Sequence, residues 1–419
     1  MMTPNQIPHP NPASEARIRV RGLTKVFGEH PERGLALLAQ GKGRAEVLKD
    51  TGCVVGLQDV SFDVAPGEIL VVMGLSGSGK STCLRCINRL VTPSAGEVVV
   101  DGTDVTRLSE HELLAFRRKH FGMVFQQFAL FPHRTILRNV EYGLEIQGVA
   151  PTERTERAMT AIEQVGLKGW DQHLPSQLSG GMQQRAGLAR ALALDPDVLL
   201  MDEAFSALDP LIRRDMQQEL VALQKRVKKT IVFVSHDLDE AIALGGRIVL
   251  MKDGRVVQQG SAADFLGNPA DDYVRRFVEH IDVLGVVTAG DAMRAPALVA
   301  RWDMPAAEAL SRLDAAGEPV ATVICEEGRF QGTVDATSLR GAGGTVLKLL
   351  AADRHAFVAE RAPLNTAVVA LAGGRGEIAV VGDDGHLRGI ITNADLVAAL
   401  ARRHRATPPA GASPAHPVQ

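Results

Sequence analysis

The stretch GLSGSGKST, Gly74 to Thr82, has the composition of a phosphate grip. Gly74, Gly77 and Gly79 free the backbone to curl its N–H groups around phosphate oxygens, and Ser76, Ser78 and Thr82 keep the loop small and polar. Lys80 supplies a cation for the β- and γ-phosphates, and Ser81 offers a hydroxyl to Mg²⁺. A second stretch, VLLMDEAFSALD (Val198–Asp209), carries two carboxylates at the end of an apolar run. Asp202 is placed to hold Mg²⁺ through water. Glu203 is placed as the general base that polarises the water attacking the γ-phosphorus. TIVFVSHD ends on His236, where a γ-phosphate sensor is needed. Gln126, in MVFQQFALFPH, is a neutral amide able to touch Mg²⁺ or that water, and Gln127 competes for the role. Phe27, in LTKVFGEH, either stacks on adenine or is a buried strand residue. Together these residue types point to nucleoside triphosphate hydrolysis. One further stretch, LSGGMQQRAGLARAL (Leu178–Leu192), opens like a second phosphate-holding helix.

The elements that position these groups follow from local pattern. Short β-rich runs bounded by Gly, Pro or Asp (EILVVMG, DVLLMDE, TIVFVSH, RIVLMKDG) alternate with helical spacing between about residues 16 and 266. That pattern predicts an α/β core with a parallel sheet, and carboxylates at its strand ends sit where such sheets bind ligands. Alternation at Val60–Val64 and EVVVDG at Glu97–Gly102 predict strands of a flanking antiparallel sheet.

A different texture begins near Val283. TVICEEGRFQGTVDATSL (Thr322–Leu339) aligns without gaps on AVVGDDGHLRGIITNADL (Ala379–Leu396), with Gly328 on Gly385 and Gly332 on Gly389. Each copy reads strand, Gly turn, strand, helix. The expected organisation is a tail over 1–14, a nucleotide-binding domain over 15–268, a linker helix over 269–284, repeats over 285–342 and 343–403, and a tail over 404–419.

Composition narrows the class. The chain has 419 residues, is 45% hydrophobic and 23% charged, and carries a net charge of −3, which makes no case for nucleic acid as a partner. Four cysteines do not make a disulfide framework, and Cys83 and Cys86 read as inert core thiols. No apolar run approaches the ~18 residues that span a bilayer. The opening MMTPNQIPHPNPASEAR lacks the regions of a signal peptide. The expected location is therefore peripheral, on the cytoplasmic face of the inner membrane, through a partner.

GLSGSGKST, Gln126, LSGGM, LLMDE, SALD and SH occur in the order of an ABC-transporter ATPase subunit, and the chain resembles that family over nearly its whole length. The implied fold is an α/β ABC-ATPase nucleotide-binding domain, mostly parallel with antiparallel β and helical subdomains, followed by an α+β tandem CBS pair. Met182 stands where the family signature, LSGGQ, has Gln. The resemblance implies a head-to-tail pair of subunits. Leu178, Ser179, Gly180, Gly181 and Met182 then face the γ-phosphate held by the partner's loop, and Asp209 joins the two sites. It also implies ATP and Mg²⁺ as the bound species.

The closer resemblance is to the ATPase subunits of glycine betaine/proline betaine importers. The long segment Phe27–Gly52 beginning FGEHP, the wording MDEAFSALDPLIRRDMQ and SHDLDEA, and the C-terminal repeat carry this likeness. It implies a transmembrane permease docking at Phe128, Leu130, Phe131 and Pro132, some of which read equally as core. It also implies an extracytoplasmic solute-binding protein and osmotic regulation through the CBS pair. Thr392 and Asp395 are the candidates there for a nucleotide contact, since the first copy has Asp335 and Ser338 instead; a dimerisation module is the competing reading. Arg402, Arg403 and Arg405 suit a membrane surface or a solvated tail. Choline, carnitine or another quaternary amine is the alternative cargo. Other readings are a soluble ABC ATPase outside transport and a nucleotide sensor led by the C-terminal pair.

Overall fold

The computed structural model describes residues 16–279, 283–350, 357–372 and 376–405. Two compact units divide the chain: Met1–Phe265 with Pro269–Glu279, and Leu266–Asn268 with His280–Gln419. The side chains of Arg402, Arg403 and Arg405, and the tails over 1–14 and 406–419, lie outside the described residues. No described helix is long and apolar enough to cross a membrane.

In the first unit the strands are β1 (Ile18–Phe27), β2 (Val54–Val64), β3 (Ile69–Met73), β4 (Ala95–Val100), β5 (Thr103–Asp104), β6 (Phe121–Val124), β7 (Val198–Asp202), β8 (Thr230–Ser235), β9 (Arg247–Lys252) and β10 (Arg255–Gly260). They form two sheets. One is six-stranded, in the order β10-β9-β3-β8-β7-β6, parallel except for the edge pair β9–β10. The other is four-stranded and antiparallel, in the order β2-β1-β4-β5. Every residue of β3, β7 and β8 is buried, which is why these runs are apolar without alternation. β2 instead alternates buried and less buried positions, as a sheet covered on one face must. The two sheets share one core: Ile18, Val20, Val60 and Phe62 pack with Leu70, Val72, Leu84 and Ile87. Each such aliphatic side chain contributes roughly 1.5–3 kcal/mol on burial, and Leu84 and Ile87 anchor the helix Lys80–Ile87 from within.

Helices Ile136–Ile146, Pro151–Gln164 and Gly180–Leu192 pack on one another as a helical layer. The long segment after Phe27 folds into helices Pro31–Ala39 and Arg44–Thr51 around a small core of Val26, Val47, Cys53 and Val55. Where the sequence reading places one linker helix over 269–284, the structure has the short helix Asp272–Phe277 inside the first unit and the separate turn Val283–Val286 in the second. Buried Val274 anchors the former to the first unit.

The second unit holds two copies of one topology: β11 (Val299–Arg301), β12 (Val320–Ile324), β13 (Phe330–Asp335), then β14 (Phe357–Ala359), β15 (Glu377–Val381), β16 (Leu387–Thr392). In each copy the first two strands are parallel across a helix and the last two form an antiparallel hairpin. The contiguous halves expected from the sequence are interleaved. The leader Ala289–Ala292 packs with Val358, Leu364 and Ile391 of the second copy. Its backbone follows suit: Ala289 N–H donates to Ala362 O at 2.8 Å, and Arg294 and Ile390 exchange both hydrogen bonds at 2.9 Å. Conversely, Val346, ahead of the second copy, is buried with Ala300, Leu313 and Val323 of the first. Gly389 allows the crossing, because a Cβ there would lie 2.8 Å from Arg294 O.

Candidate active site

The phosphate loop joins the end of β3 to the helix Lys80–Ile87. Its glycines are required by shape. Gly74 has φ 147°, and a Cβ on it would fall 2.2 Å from Met251 O and 2.5 Å from Ser78 Oγ. Gly79 caps the helix at φ 98°, where a Cβ would meet Gly56 O at 2.7 Å. Lys80 is 5% exposed and lies folded back, donating to Gly74 O at 2.9 Å and Leu75 O at 3.2 Å. Burial pushes its ammonium below the ordinary lysine value, against the opposing pull of Glu203 and Asp202. The Ser78 hydroxyl is buried within the loop without a partner. An orphan hydroxyl, a loop that a Cβ would fill and a buried cation held by two backbone carbonyls form a site that fits a polyphosphate.

At the end of β7, Asp202 Oδ1 accepts from Ser81 Oγ at 2.7 Å, and its other oxygen pairs with Arg85 Nη2 at 3.2 Å. This hydroxyl–carboxylate pair has the hard oxygen donors that Mg²⁺ prefers. Arg85 is a residue the sequence reading missed, because nothing in the helix pattern announces that β7 brings Asp202 beside it. Glu203 follows with φ 47°, a left-handed conformation that costs a non-glycine residue about 1–3 kcal/mol. Glu203 N–H donates to Val234 O at 3.2 Å, and its carbonyl accepts from Ser206 N at 3.1 Å and Ser206 Oγ at 2.9 Å. The turn aims the carboxylate at three groups. Lys80 Nζ lies 3.8 Å away, Gln126 Nε2 3.4 Å and His236 Nδ1 3.7 Å. Gln126 is thus brought to Glu203. Gln127 is exposed, and among the described residues the amide bonded to Glu203 is that of Gln126.

Phe27 ends β1 opposite Val54 of β2 and is 40% exposed. Its ring covers Gly56, which itself abuts Gly79, so an exposed aromatic face stands one residue's thickness from the phosphate loop.

Leu178 is buried, whereas Ser179 and Gly180 are exposed at the start of the helix Gly180–Leu192. Ser179 caps that helix, accepting from Met182 N at 3.4 Å. Gly181 is buried against the next helix, where a Cβ would meet Ile212 Cγ2 at 2.7 Å. Asp209 is exposed and caps the helix Pro210–Val227 by accepting from Ile212 N at 3.1 Å. The loop after Gln126 is shaped by buried Asn139, which accepts from Phe131 N at 2.7 Å and donates to the carbonyls of Phe131, Arg134 and Thr135. Phe128, Leu130 and Phe131 stay half-buried and Pro132 exposed.

In the second unit, Thr392 and Asp395 cap a helix reciprocally. Asp395 Oδ2 accepts from Thr392 N at 2.9 Å, Thr392 Oγ1 at 2.7 Å and Arg294 Nε at 3.3 Å. In the first copy Asp335 caps the helix and accepts from Ser338 N at 2.7 Å. Cys83 and Cys86 are buried, and burial pushes both thiols up, Cys86 to about 12. Among the described residues, Asp101, His120 and Asp197 have the spacing of metal ligands. Arg17 already pairs with both carboxylates, at 3.4 and 3.1 Å, so the group is a structural ion network.

The ABC transporter family model matches residues 57–206, and the CBS domain model matches residues 352–402. The chain is 46% identical to the glycine betaine transport ATP-binding protein OpuAA of Bacillus subtilis (strain 168), over 92% of each chain. It is 46% identical to the glycine betaine/carnitine transport ATP-binding protein GbuA of Listeria monocytogenes, over 92% of this chain and 98% of that one. The trimethylamine N-oxide transport system ATP-binding protein TmoW of Ruegeria pomeroyi is 49% identical, over 66% of this chain and 82% of its own length. By its fold, its two units and these relatives, the chain belongs to the family of glycine betaine-type ABC-transporter ATP-binding subunits, transport-coupled ATPases that bind ATP.

Proposed function

We propose that this chain powers the import of glycine betaine or a proline-type compatible solute from the cytoplasmic face of the membrane. The observation that carries the reading is coverage. Relatives named for betaine transport match through both units, over 92% of the chain, whereas the trimethylamine N-oxide relative matches over 66%. Carnitine, in the name of one full-length relative, keeps another quaternary amine as the second reading.

ATP lies along the phosphate loop, with backbone N–H groups of Ser76 to Thr82 and the Ser78 hydroxyl on its phosphates. Lys80 leaves Gly74 O and Leu75 O for the β- and γ-oxygens. Phe27 stacks on the adenine. Ser81, Asp202 and Gln126 are the side chains that would hold Mg²⁺, which when bound neutralises phosphate charge. Glu203 takes the proton from the attacking water, and Gln126 and His236 orient that water and the γ-phosphate. A second copy completes each site: exposed Ser179 and Gly180, with Gly181 and the flanking Leu178 and Met182, face the γ-phosphate on the partner's loop, and Asp209 connects the two sites. Binding then closes the pair and hydrolysis releases it. The transmembrane permease seats at Phe128, Leu130, Phe131 and Pro132, and an extracytoplasmic protein selects the solute. The C-terminal pair carries osmotic regulation.

The test is uptake of labelled glycine betaine by cells lacking other osmolyte importers, expressing this chain with its permease and binding subunits, before and after a salt upshift. Salt-dependent uptake that disappears with Glu203→Gln is expected. Assembled, ATP-hydrolysing subunits without betaine uptake would overturn the cargo and leave the motor.

A further inference from the structure

Between β6 and the helix Ile136–Ile146 runs the loop that carries Gln126. Val124, the last residue of β6, fixes one end, and the buried Asn139 amide fixes the other at Phe131. Between these anchors, among the described residues, the hydrogen bonds that reach the loop are the one from Gln126 to Glu203 and two from Arg190. Arg190 stands on the helix Gly180–Leu192 and has no part in the site described above. Its Nη1 donates to Ala129 O at 2.5 Å and its Nη2 to Phe128 O at 3.2 Å.

This contact holds the loop in a shape it would not keep alone. Ala129 has φ 51°, a left-handed conformation that a residue with a Cβ keeps only where its surroundings enforce it. The helix lies against the loop: a Cβ on Gly187 would touch Phe128 O at 3.5 Å, and one on Gly180 the Phe128 ring at 3.8 Å. Gln184, on the same helix face, is 1% exposed, yet neither of its amide atoms has a partner, so it gives the loop no hold. The tie is Arg190. Burial pushes its guanidinium below the ordinary arginine value, and no carboxylate opposes the shift. A desolvated cation without a counter-charge is costly unless its hydrogen bonds are made. Here they go to two carbonyls, as charge-assisted bonds roughly twice as strong as neutral ones.

We propose that Arg190 is a positioning residue for hydrolysis: by clamping the carbonyls of Phe128 and Ala129 to the helix Gly180–Leu192, it fixes the loop that presents Gln126, whose amide lies 3.4 Å from Glu203. The proposal rests on the ATP-site reading above. In that reading the first turn of the same helix meets the partner's nucleotide, so one rigid element fastens the water-orienting amide of one site to the phosphate grip of the other. Without the clamp, Ala129 relaxes out of the left-handed region and Gln126 loses its fixed place, while the phosphate loop is untouched.

The experiment measures phosphate release at saturating ATP, equilibrium ATP binding and the melting midpoint. It compares the full-length chain with Arg190→Lys, Gln126→Ala and the double variant. Lysine keeps the charge but cannot bridge two carbonyls as the planar guanidinium does. The expected result for Arg190→Lys is a fall of about tenfold or more in kcat with the Kd for ATP within about threefold, since a displacement of about 1 Å near the chemistry costs on the order of 10²-fold in rate. In the Gln126→Ala background the same change costs less than about twofold further, because a residue that acts through Gln126 has nothing left to position. Arg190→Gln, a neutral donor, is run in parallel, and the comparison uses whichever variant retains ATP binding. Wild-type kcat in both Arg190 variants, or an equal fall with and without Gln126, overturns the proposal and leaves the ATP site standing. Loss of ATP binding in both Arg190 variants makes the arginine structural and overturns it too. A wild-type rate in Gln126→Ala would overturn the Gln126 part of the ATP-site reading, and this proposal with it.

Discussion

Replacing Glu203 by glutamine separates binding from chemistry at this site. The amide has the shape of the carboxylate, so the strained turn at φ 47° keeps its hydrogen bonds to Val234 and Ser206. Two things are lost. One is the base, worth about 10²–10⁴ in rate. The other is a negative charge 3.8 Å from Lys80 Nζ. By Coulomb's law, that attraction is at most roughly 4 kcal/mol at an effective dielectric of about 20. The Glu203 side chain is 21% exposed, which screens part of it. The attraction competes with phosphate for the lysine, so its removal leaves ATP affinity equal or higher. Single-turnover hydrolysis and equilibrium ATP binding read the two effects separately. The expected pair is a rate at least a hundredfold down and a Kd for ATP no weaker than wild type. A rate within tenfold of wild type would remove Glu203 as the base. A tenfold loss of affinity would show that its charge supports the nucleotide instead of competing with it.

Gly74→Ala places a methyl 2.2 Å from Met251 O at φ 147°, so ATP binding is lost and a thermal melt shows a destabilisation of about 1–3 kcal/mol. Glu240 is 7% exposed; burial raises its carboxyl above the ordinary value, while hydrogen bonds from Ser235 and Gln217 oppose the shift. A raised folded pKa contributes stability that is full below the unfolded value and is lost as pH rises through the folded one. The melting midpoint of Glu240→Gln should therefore gain on wild type from pH 5 to pH 8, and a constant difference would refute this. Iodoacetamide at pH 8 should label half-buried Cys325 and spare Cys83 and Cys86 in the folded protein, as read by peptide mass, because buried thiols with raised pKa values present no thiolate.

Much of the first unit is legible because its signals are local. The uninterrupted apolar runs of β3, β7 and β8 announce a sheet buried on both faces, and the glycines of the phosphate loop fall where a side chain would collide. The meeting of Ser81 with Asp202 could be argued from the strand–loop–helix and strand-end contexts alone, though the residues are far apart in sequence. What the sequence leaves silent depends on tertiary register. Arg85 reads as an ordinary helix arginine until β7 brings Asp202 beside it. Asn139 reads as a polar helix residue, yet its buried amide organises the loop from Phe131 to Thr135. Thr392 and Asp395 read as candidates for a ligand contact, and the sequence does not show the helix-capping role they also take, joined by Arg294 from the opposite repeat's leader. The interleaving itself leaves no trace in periodicity, since Ala289 and Val346 are merely apolar residues ahead of a repeat.

The crossed leaders of the second unit carry a consequence for how it holds together. A single copy standing alone would have to lend its leader to another molecule, at a bulk concentration, as in a domain swap. Joining two copies in one chain replaces that bulk concentration with an effective one on the order of millimolar, set by the tether between them. Cutting the loop Gly341–Gly344 would return the exchange to a bimolecular equilibrium. Two fragments, each buckled through the other by Ala289–Arg294 and by Val346, would then separate only on dilution.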